Sequence, residues 1–574
     1  MLAGRYRIEK CREIIPAYGE WHPYPRIGER DSWLGLSTAL REVIVNQGEQ
    51  VLDYNWPALP ATLFLEYKRN GNRSRYQDVS FKRRQVLRDL VLAECMEYKS
   101  RFLDQIANAI WMICEETYWG VPAHINMQAA GVDLPDAAEP TVDLFAAETA
   151  ALLAWVDYLL ADSLYAVSPL LRTRITNEIQ RRILEPCLMR DDFWWMGFHP
   201  GQHGVNNWNP WVNSNWLAAV LLLEQNPERR TAAVHKILTS LDVFIGTYAD
   251  SGGCDEGPDY WGRAAASLFD CLDQLYSASD GIINIFQEER IKNMGRFIYR
   301  AHIGDSYYVN YADASVINHP SASLVYRYGQ AIEDVEMMRF GSWLAQDGEY
   351  HKPGYDSLSR ELPRLFILDE MRSTPPKAPL PQTYYFTGIQ VMIARNRSGN
   401  SSGIFLSAKG GHNAESHNHN DVGNFIVFVD GAPVIVDAGV ETYTKKTFSD
   451  QRYDIWTMQS AYHSLLPTLD GIQQQPGKSF SAQDVAYRTD GIQTQFTLDL
   501  AGAYPASAGL ESMQRTWTHQ SGAGVEICDI LVFNKLIGEI VLSLLTPCQV
   551  NLDQMGVIDF QPVTYTGSYV SGQA

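Results

Sequence analysis

From residue 81 to 118 the apolar positions recur at helical spacing, at Val86, Leu87, Leu90 and Leu92 and then at Phe102, Ile106, Ile110 and Ile113. Similar patterns predict helices near 143–163, 169–187, 213–225, 229–248, 262–277, 283–301, 331–345 and 359–371. Ser168-Pro169 is a start signal, an N-cap followed by proline at the first helical position. Leu171, Ile175, Ile179 and Ile183 then mark one apolar face at a spacing of four. Residues 1–78 mix proline, tryptophan and charge, with one helical patch at 37–46, and predict an irregular N-terminal layer. Helix pairs that follow one another at near-constant intervals favour an α/α toroid over a simple bundle.

The period changes after Ser373-Thr374-Pro375-Pro376-Lys377-Ala378-Pro379-Leu380-Pro381, a proline-rich joint. Beyond it apolar residues alternate or run in short blocks: 390–394, 404–406, 425–429, 434–436, 493–498, 525–533 and 540–545. Short strands between Gly, Asp and Asn turns predict an antiparallel β-sandwich. The expected architecture is α+β and multidomain: an α/α toroid over 1–380, then a β-sandwich over 381–574. Asp430-Gly431, between two β-rich runs, is a strong hairpin signal. A two-residue loop there pairs Val429 with Ala432 and brings Asp437 opposite Asn424.

Composition narrows the class. The chain of 574 residues is 45% apolar and 11% aromatic, which is globular and too long for one core. Its 15 Trp and 30 Tyr suit carbohydrate clefts as well as cores. A net charge of −20 with no basic stripe argues against a nucleic-acid partner. It leaves an anionic substrate open, because a cleft can be locally positive. The eight cysteines lack CxxC spacing and read as reduced, buried thiols. No apolar run reaches about 18 residues, so no membrane span is expected. The charged first residues lack a signal-peptide core, so the chain is expected in the cytoplasm, or in the periplasm or outside if a leader has been removed. Nothing bears on oligomeric state.

Three polar stretches carry the candidate chemistry. The first two, 198–216 and 250–263, each precede an apolar helix, where free N–H groups favour anionic ligands. The first is dense in Asn and Trp, giving directional hydrogen bonds beside flat apolar faces; Asn209, Asn213 and Asn215 serve either sugar binding or helix packing. The third, 411–421, holds His412, His417 and His419. The hairpin returns Asp437 towards it, and His463 follows in Ser460-Ala461-Tyr462-His463. Imidazoles with a carboxylate suit one divalent ion such as zinc.

Taken in order, the asparagine-rich loop, the Glu256-Gly257-Pro258-Asp259-Tyr260 loop, the His417-Asn418-His419 segment and the later histidine resemble the heparinase II/III-like polysaccharide lyases. The resemblance implies an α/α toroid and a β-sandwich with the active site between them. It implies β-elimination on an acidic polysaccharide or oligosaccharide containing uronate, to a 4,5-unsaturated product. By resemblance, Asn206 neutralises the uronate carboxylate, with His203 and Asn207 as helpers or substitutes. Tyr260 matches the family's tyrosine, the acid or both base and acid, and His417 matches the catalytic histidine. His419, Asp437 and His463 match the metal ligands, zinc first and manganese second. Asn207, Trp208, Trp211, Glu256, Trp261, Arg263 and His412 are candidate substrate contacts; Lys409 is another, and Arg452 either joins them or forms a surface salt bridge.

Three other functions compete. His417-X-His419-X-Asp421 echoes a metallohydrolase signature, but Val422 stands where that signature has histidine. Asp255 and Glu256 could form the acid–base pair of a glycoside hydrolase on a toroid. A non-catalytic carbohydrate-binding protein would keep the cleft alone.

Overall fold

The structure, a computed structural model, describes residues 1–199, 204–345 and 357–562. The helical half closes on itself. Leu144–Val167 packs on Trp208–Leu223, which packs on Ala265–Ala278; Ala322–Ala331 and Leu358–Ser373 follow, and the last returns to Leu144–Val167. Outer helices such as Pro227–Thr247, Glu289–Arg300 and Val335–Leu344 back this inner ring, which makes the domain an α/α toroid. Leu144–Val167 has the length and apolarity of a membrane span, yet 83% of its most apolar window is buried inside the protein. It is the central core helix.

Local signals act as the sequence suggests at several ends. Ser168 caps Pro169–Ile179 through Leu170 N–H, and Ser37 caps Thr38–Gln50 through Leu40 N–H. Two expectations need correction. Residues 1–78 are not irregular: they form short helices, among them Ile8–Ile14, Arg30–Gly35 and Thr38–Gln50, pinned by tertiary packing of Leu2, Trp33 and Ile44. The helix expected at 331–345 forms only over Val335–Leu344, because Glu333 takes a positive φ and separates it from Ala322–Ala331, a helix the pattern did not predict.

After the proline joint a five-stranded antiparallel sheet runs in chain order through Thr383–Phe386, Val391–Arg395, Ile404–Lys409, Phe425–Val429 and Ala432–Ile435. A four-stranded sheet, Gln483–Thr489, Gln493–Asp499, Leu510–Gln520 and Gly524–Phe533, covers one face of it. Met392, Leu406, Phe425 and Val427 meet Phe496, Leu498, Met513 and Trp517 in the sandwich core. Their sequence neighbours Ile393, Phe405, Ile426 and Phe428 join the core of the toroid. The first sheet is therefore buried on both faces, which is why its strands read as apolar runs without a polar side.

The hairpin forms at Asp430-Gly431 with Val429 opposite Ala432, but a bulge shifts the register so that Val427 faces Ile435. Asp437 still reaches Asn424, whose amide donates to it at 2.6 Å. The strand Leu510–Gln520 escapes the sequence pattern because two of its inward positions are Arg515 and His519. All eight cysteines are free and six are buried.

Arg395 fastens the two halves. Its buried guanidinium donates to the carbonyls of His302 at 2.7 Å, Ile303 at 2.9 Å and Pro381 at 2.9 Å. Burial without a carboxylate in ion-pair contact pulls its pKa down to about 10. Arg395→Met should strip donors from two buried carbonyls and one partly buried one, partly offset by removing a desolvated charge, a net loss of roughly 2–4 kcal/mol. The unfolding midpoint in denaturant reads this; a variant as stable as wild type would show that the seam is held elsewhere.

Candidate active site and metal centre

The loop between strands Ile404–Lys409 and Phe425–Val429 lies at the seam of the two halves, and it carries the histidines. Three anchors shape it. Lys409 is buried and bridges Glu415 at 2.7 Å and Asp421 at 2.6 Å within the β-domain. Asp255 of the toroid accepts from Ser416 N–H at 3.0 Å. Arg515 of the second sheet donates to the Gly423 carbonyl at 3.1 Å. Held this way, His417 adopts φ +57°, a left-handed backbone uncommon outside glycine.

Opposite stands the 254–261 loop of the toroid. Gly257, at φ +88°, brings it so near the 311–314 segment that a Cβ there would lie 2.6 Å from Ala314 Cβ. This close approach sets Tyr260 against His417, with ring centroids 4.4 Å apart. The Tyr260 hydroxyl meets that of Tyr443 at 2.6 Å, and Tyr443 donates to Asp313 at 2.9 Å. With its one proton given to Asp313, Tyr443 accepts from Tyr260. Asp313 also meets His417 Nδ1 at 2.7 Å, His419 Nε2 at 3.0 Å and Arg452 at 2.7 Å.

Burial raises the Tyr260 phenol well above its ordinary range, so it stays protonated at neutral pH. Burial also pushes Glu256 up to about 7, opposed by His417 and by hydrogen bonds from Asn207. Desolvation works against the charged form of His417, but Asp313 and Glu256 outweigh it and the net shift is upward. At Asp313 desolvation is likewise outweighed, by its histidine partners and Arg452, and the carboxyl is held well below its usual range.

The other sequence candidates sort clearly. Asn206 spends its side-chain oxygen on Trp208 N–H at 3.1 Å, which leaves its amide nitrogen without a partner among the described residues. Asn207 is buried and committed to Glu256 through both its backbone and side-chain N–H groups. Asn209, Asn213 and Asn215 are packing residues, bonded to Ser240, Trp195 or the Trp211 carbonyl. Trp208 stacks near His124 and Trp194 and is partly exposed. Trp211 is buried under Arg263, whose guanidinium sits 4.1 Å above the ring and pairs with Glu148. Trp261 is a correction: at 1% exposure, with its indole N–H on the Met294 carbonyl, it is core and does not line the cleft. Arg452 is a second correction, buried on Asp313 and no surface salt bridge. His412 is half-buried, at the strand pair His412–Asn413 with Gly477–Ser481. His203 lies outside the described residues.

Sequence reasoning missed Asp313, Tyr443 and Arg73. None sits in a motif or a periodic pattern. Arg73, at the start of helix Ser74–Glu97, is lowered in pKa by burial, opposed by Tyr67, Tyr260 and Tyr443 nearby, and among the described residues no carboxylate is in ion-pair contact with it.

His419, Asp437 and His463 place donor atoms within 4.8 Å of one another, all fully buried. His463 Nδ1 meets Asp437 at 3.0 Å, while His463 Nε2 and His419 Nδ1 are buried with no hydrogen-bond partner among the described residues. Two orphaned imidazole nitrogens beside a carboxylate would be costly left alone and are the donor set a divalent ion takes. These three residues form a candidate metal site, and His417 is not among the grouped donors. His419→Ala and Asp437→Ala should each lose bound metal and unfold at lower temperature, whereas His417→Ala should keep its metal. Elemental analysis of the purified variants decides it; a metal-free His417→Ala would place that ring in the metal site.

The arrangement defines a class: a toroid-plus-sandwich protein with a phenol–imidazole pair and a His-Asp-His cluster at the domain seam. Residues 386–538 match the family described as Heparinase II/III-like, C-terminal. That segment of the β-half is thus similar to the heparinase II/III-like C-terminal domain, in line with the resemblance seen in the sequence. Among solved structures, one heparinase III is similar at TM-score 0.59 and 12% identity, over 96% of this chain and 79% of its own. A second heparinase III has TM-score 0.57 and 13% identity, over 96% and 77%. A mutant heparan sulfate lyase from Pedobacter heparinus has TM-score 0.53 and 15% identity, over 92% and 73%. No curated protein sequence matches the chain.

Proposed function

We propose that the protein is a polysaccharide lyase that cleaves uronate-containing polysaccharides or oligosaccharides, of glycosaminoglycan or alginate type, by β-elimination. The observation that carries this reading is the pairing of Tyr260 with His417 across the seam, 4.4 Å between rings, next to the loop bearing the unspent Asn206 amide. The likeness in fold to heparinase III and to a heparan sulfate lyase supports it.

Elimination removes the proton at C5 of a uronate whose carboxylate is already anionic. A donor on that carboxylate must take up the charge that develops. Asn206 supplies it, because Asn207 is tied to Glu256. His417, with Nδ1–H on Asp313, presents Nε2 as the base for C5–H. The electron pair forms C4=C5, the C4–O4 bond breaks, and Tyr260 gives its proton to the departing O4. The Tyr443–Asp313 pair behind Tyr260 holds the phenol in place. His419, Asp437 and His463 would hold zinc, with manganese as the other choice. When bound, the ion supplies fixed positive charge that shapes the β-domain wall.

The hydrolase reading is weaker on these contacts. Asp255 is spent on Ser416 and Glu256 on Asn207, so neither is poised for a water or a glycosidic oxygen.

The direct test is the ultraviolet absorbance of the new double bond on mixing with heparan, chondroitin, hyaluronan and alginate. A rise on one of them is expected; reducing ends without that absorbance would mean hydrolysis. Tyr260→Phe should lose about 10²–10⁴-fold in turnover with the fold intact. A variant above roughly a third of wild-type rate would remove Tyr260 from the chemistry.

Asn206→Ala should lower kcat by roughly 10²–10³-fold with a smaller effect on KM, since its bond strengthens as charge develops. A change in KM alone would make Asn206 a binding residue. Asn207→Ala and His203→Ala complete the series.

A further inference from the structure

The carboxylate of Asp313 is fully buried and is not one of the three grouped metal donors. Four donors meet it. Oδ2 takes His417 Nδ1 and Tyr443; Oδ1 takes His419 Nε2 and Arg452. An ionised carboxylate has about four acceptor positions and no proton to give. Each histidine must therefore present an N–H to it. That requirement fixes both rings. His417 carries a proton on Nδ1, so that in the neutral ring Nε2 is the free nitrogen, 3.7 Å from Glu256 on the toroid side. His419 is protonated at Nε2, which leaves Nδ1 bare among Asp437 and His463.

We propose that Asp313 is a positioning residue that sets the base nitrogen of His417 and the metal-facing nitrogen of His419 together, and so couples metal affinity to turnover. The turnover half rests on the lyase reading above; the metal half does not. Two features of the chain keep the carboxylate in place. Its own segment is wedged by Gly257 against Ala314, with Ala312 at φ +59°. Arg452 is itself anchored on the carbonyls of Asn418 at 2.8 Å and Thr447 at 2.9 Å. Arg452 thus neutralises a carboxylate that would otherwise be buried with only neutral donors. A carboxylate behind a ligand or catalytic histidine fixes its tautomer and orientation in general; here one carboxylate serves two histidines of different roles.

Asp313→Asn is the test, because an amide keeps the shape and replaces one acceptor with an N–H donor. At least one histidine must then change its tautomer or turn away. Zinc affinity, measured by chelator competition on the full-length folded variant, should weaken about 10–100-fold. On a uronate polymer kcat should fall by at least about 10-fold while KM stays within about threefold, since Asp313 does not touch substrate. Nitrogen-15 spectra of histidine-labelled wild type give a second, independent reading. They should show His417 protonated at Nδ1 and His419 at Nε2, assigned with the His417→Gln and His419→Gln variants. Wild-type zinc affinity in Asp313→Asn would overturn the proposal, as would weakened affinity with unchanged kcat, or His417 protonated at Nε2 in the wild type. If the wild type eliminates no uronate polymer, the lyase reading fails by itself, and zinc affinity and the nitrogen spectra still decide the role of Asp313. If Asp313→Asn does not fold, the wild-type spectra decide it.

Discussion

One buried carboxylate holds the two halves of the site in register. Asp313 comes from the toroid, and all four of its partners, His417, His419, Tyr443 and Arg452, come from the β-half. In a low-dielectric seam such an anion is tolerable only if every acceptor position is filled and a cation stands beside it. Arg452 is that cation. Remove the register between the halves and the carboxylate is stranded, so the same interaction that orders the chemistry also penalises opening of the seam.

The five-stranded sheet makes this register possible. Because both of its faces are buried, one in the sandwich and one in the toroid, the sheet is a shared wall with no freedom to slide. The loop that joins its third and fourth strands is then fixed relative to toroid loops more than a hundred residues distant in sequence. Arg395 at one end and Asp255 with Ser416 at the other bind the wall to the toroid through backbone groups, which constrain position more tightly than side-chain pairs do. A site that must align a phenol, an imidazole and an amide within a few ångströms needs a wall of this kind.

Much of this was legible in the chain. The proline joint, the change of period from helical to alternating and the Asp430-Gly431 turn follow from local rules, and each found its place in the fold. Asp437 met Asn424 although a bulge altered the ladder, because the hairpin needed only approximate register to return it. What escaped was what local rules do not encode. Asp313 and Tyr443 belong to no periodic pattern and gain their meaning from contacts more than a hundred residues apart, to His417, His419 and Arg452, to Tyr260 and to each other. Leu510–Gln520 was hidden because buried polar partners replace apolar residues on its inner face, with Arg515 on Asp529 and His519 on the Ile404 carbonyl. Trp261 and Arg452 misled in opposite directions: a ring near a polar loop proved to be core, and a charge near a turn proved to be buried.

The central claim is that the seam performs an elimination and not a hydrolysis, and the fate of water separates the two. Cleavage of a uronate oligosaccharide in water enriched in heavy oxygen, followed by mass analysis of both products, tests it directly. Elimination breaks the C4–O4 bond without adding water, so neither fragment should carry the label beyond the slow exchange seen at a free reducing end, and their masses should sum to that of the substrate. One solvent oxygen fixed in the products at the moment of cleavage, with a summed mass greater by one water, would contradict the account.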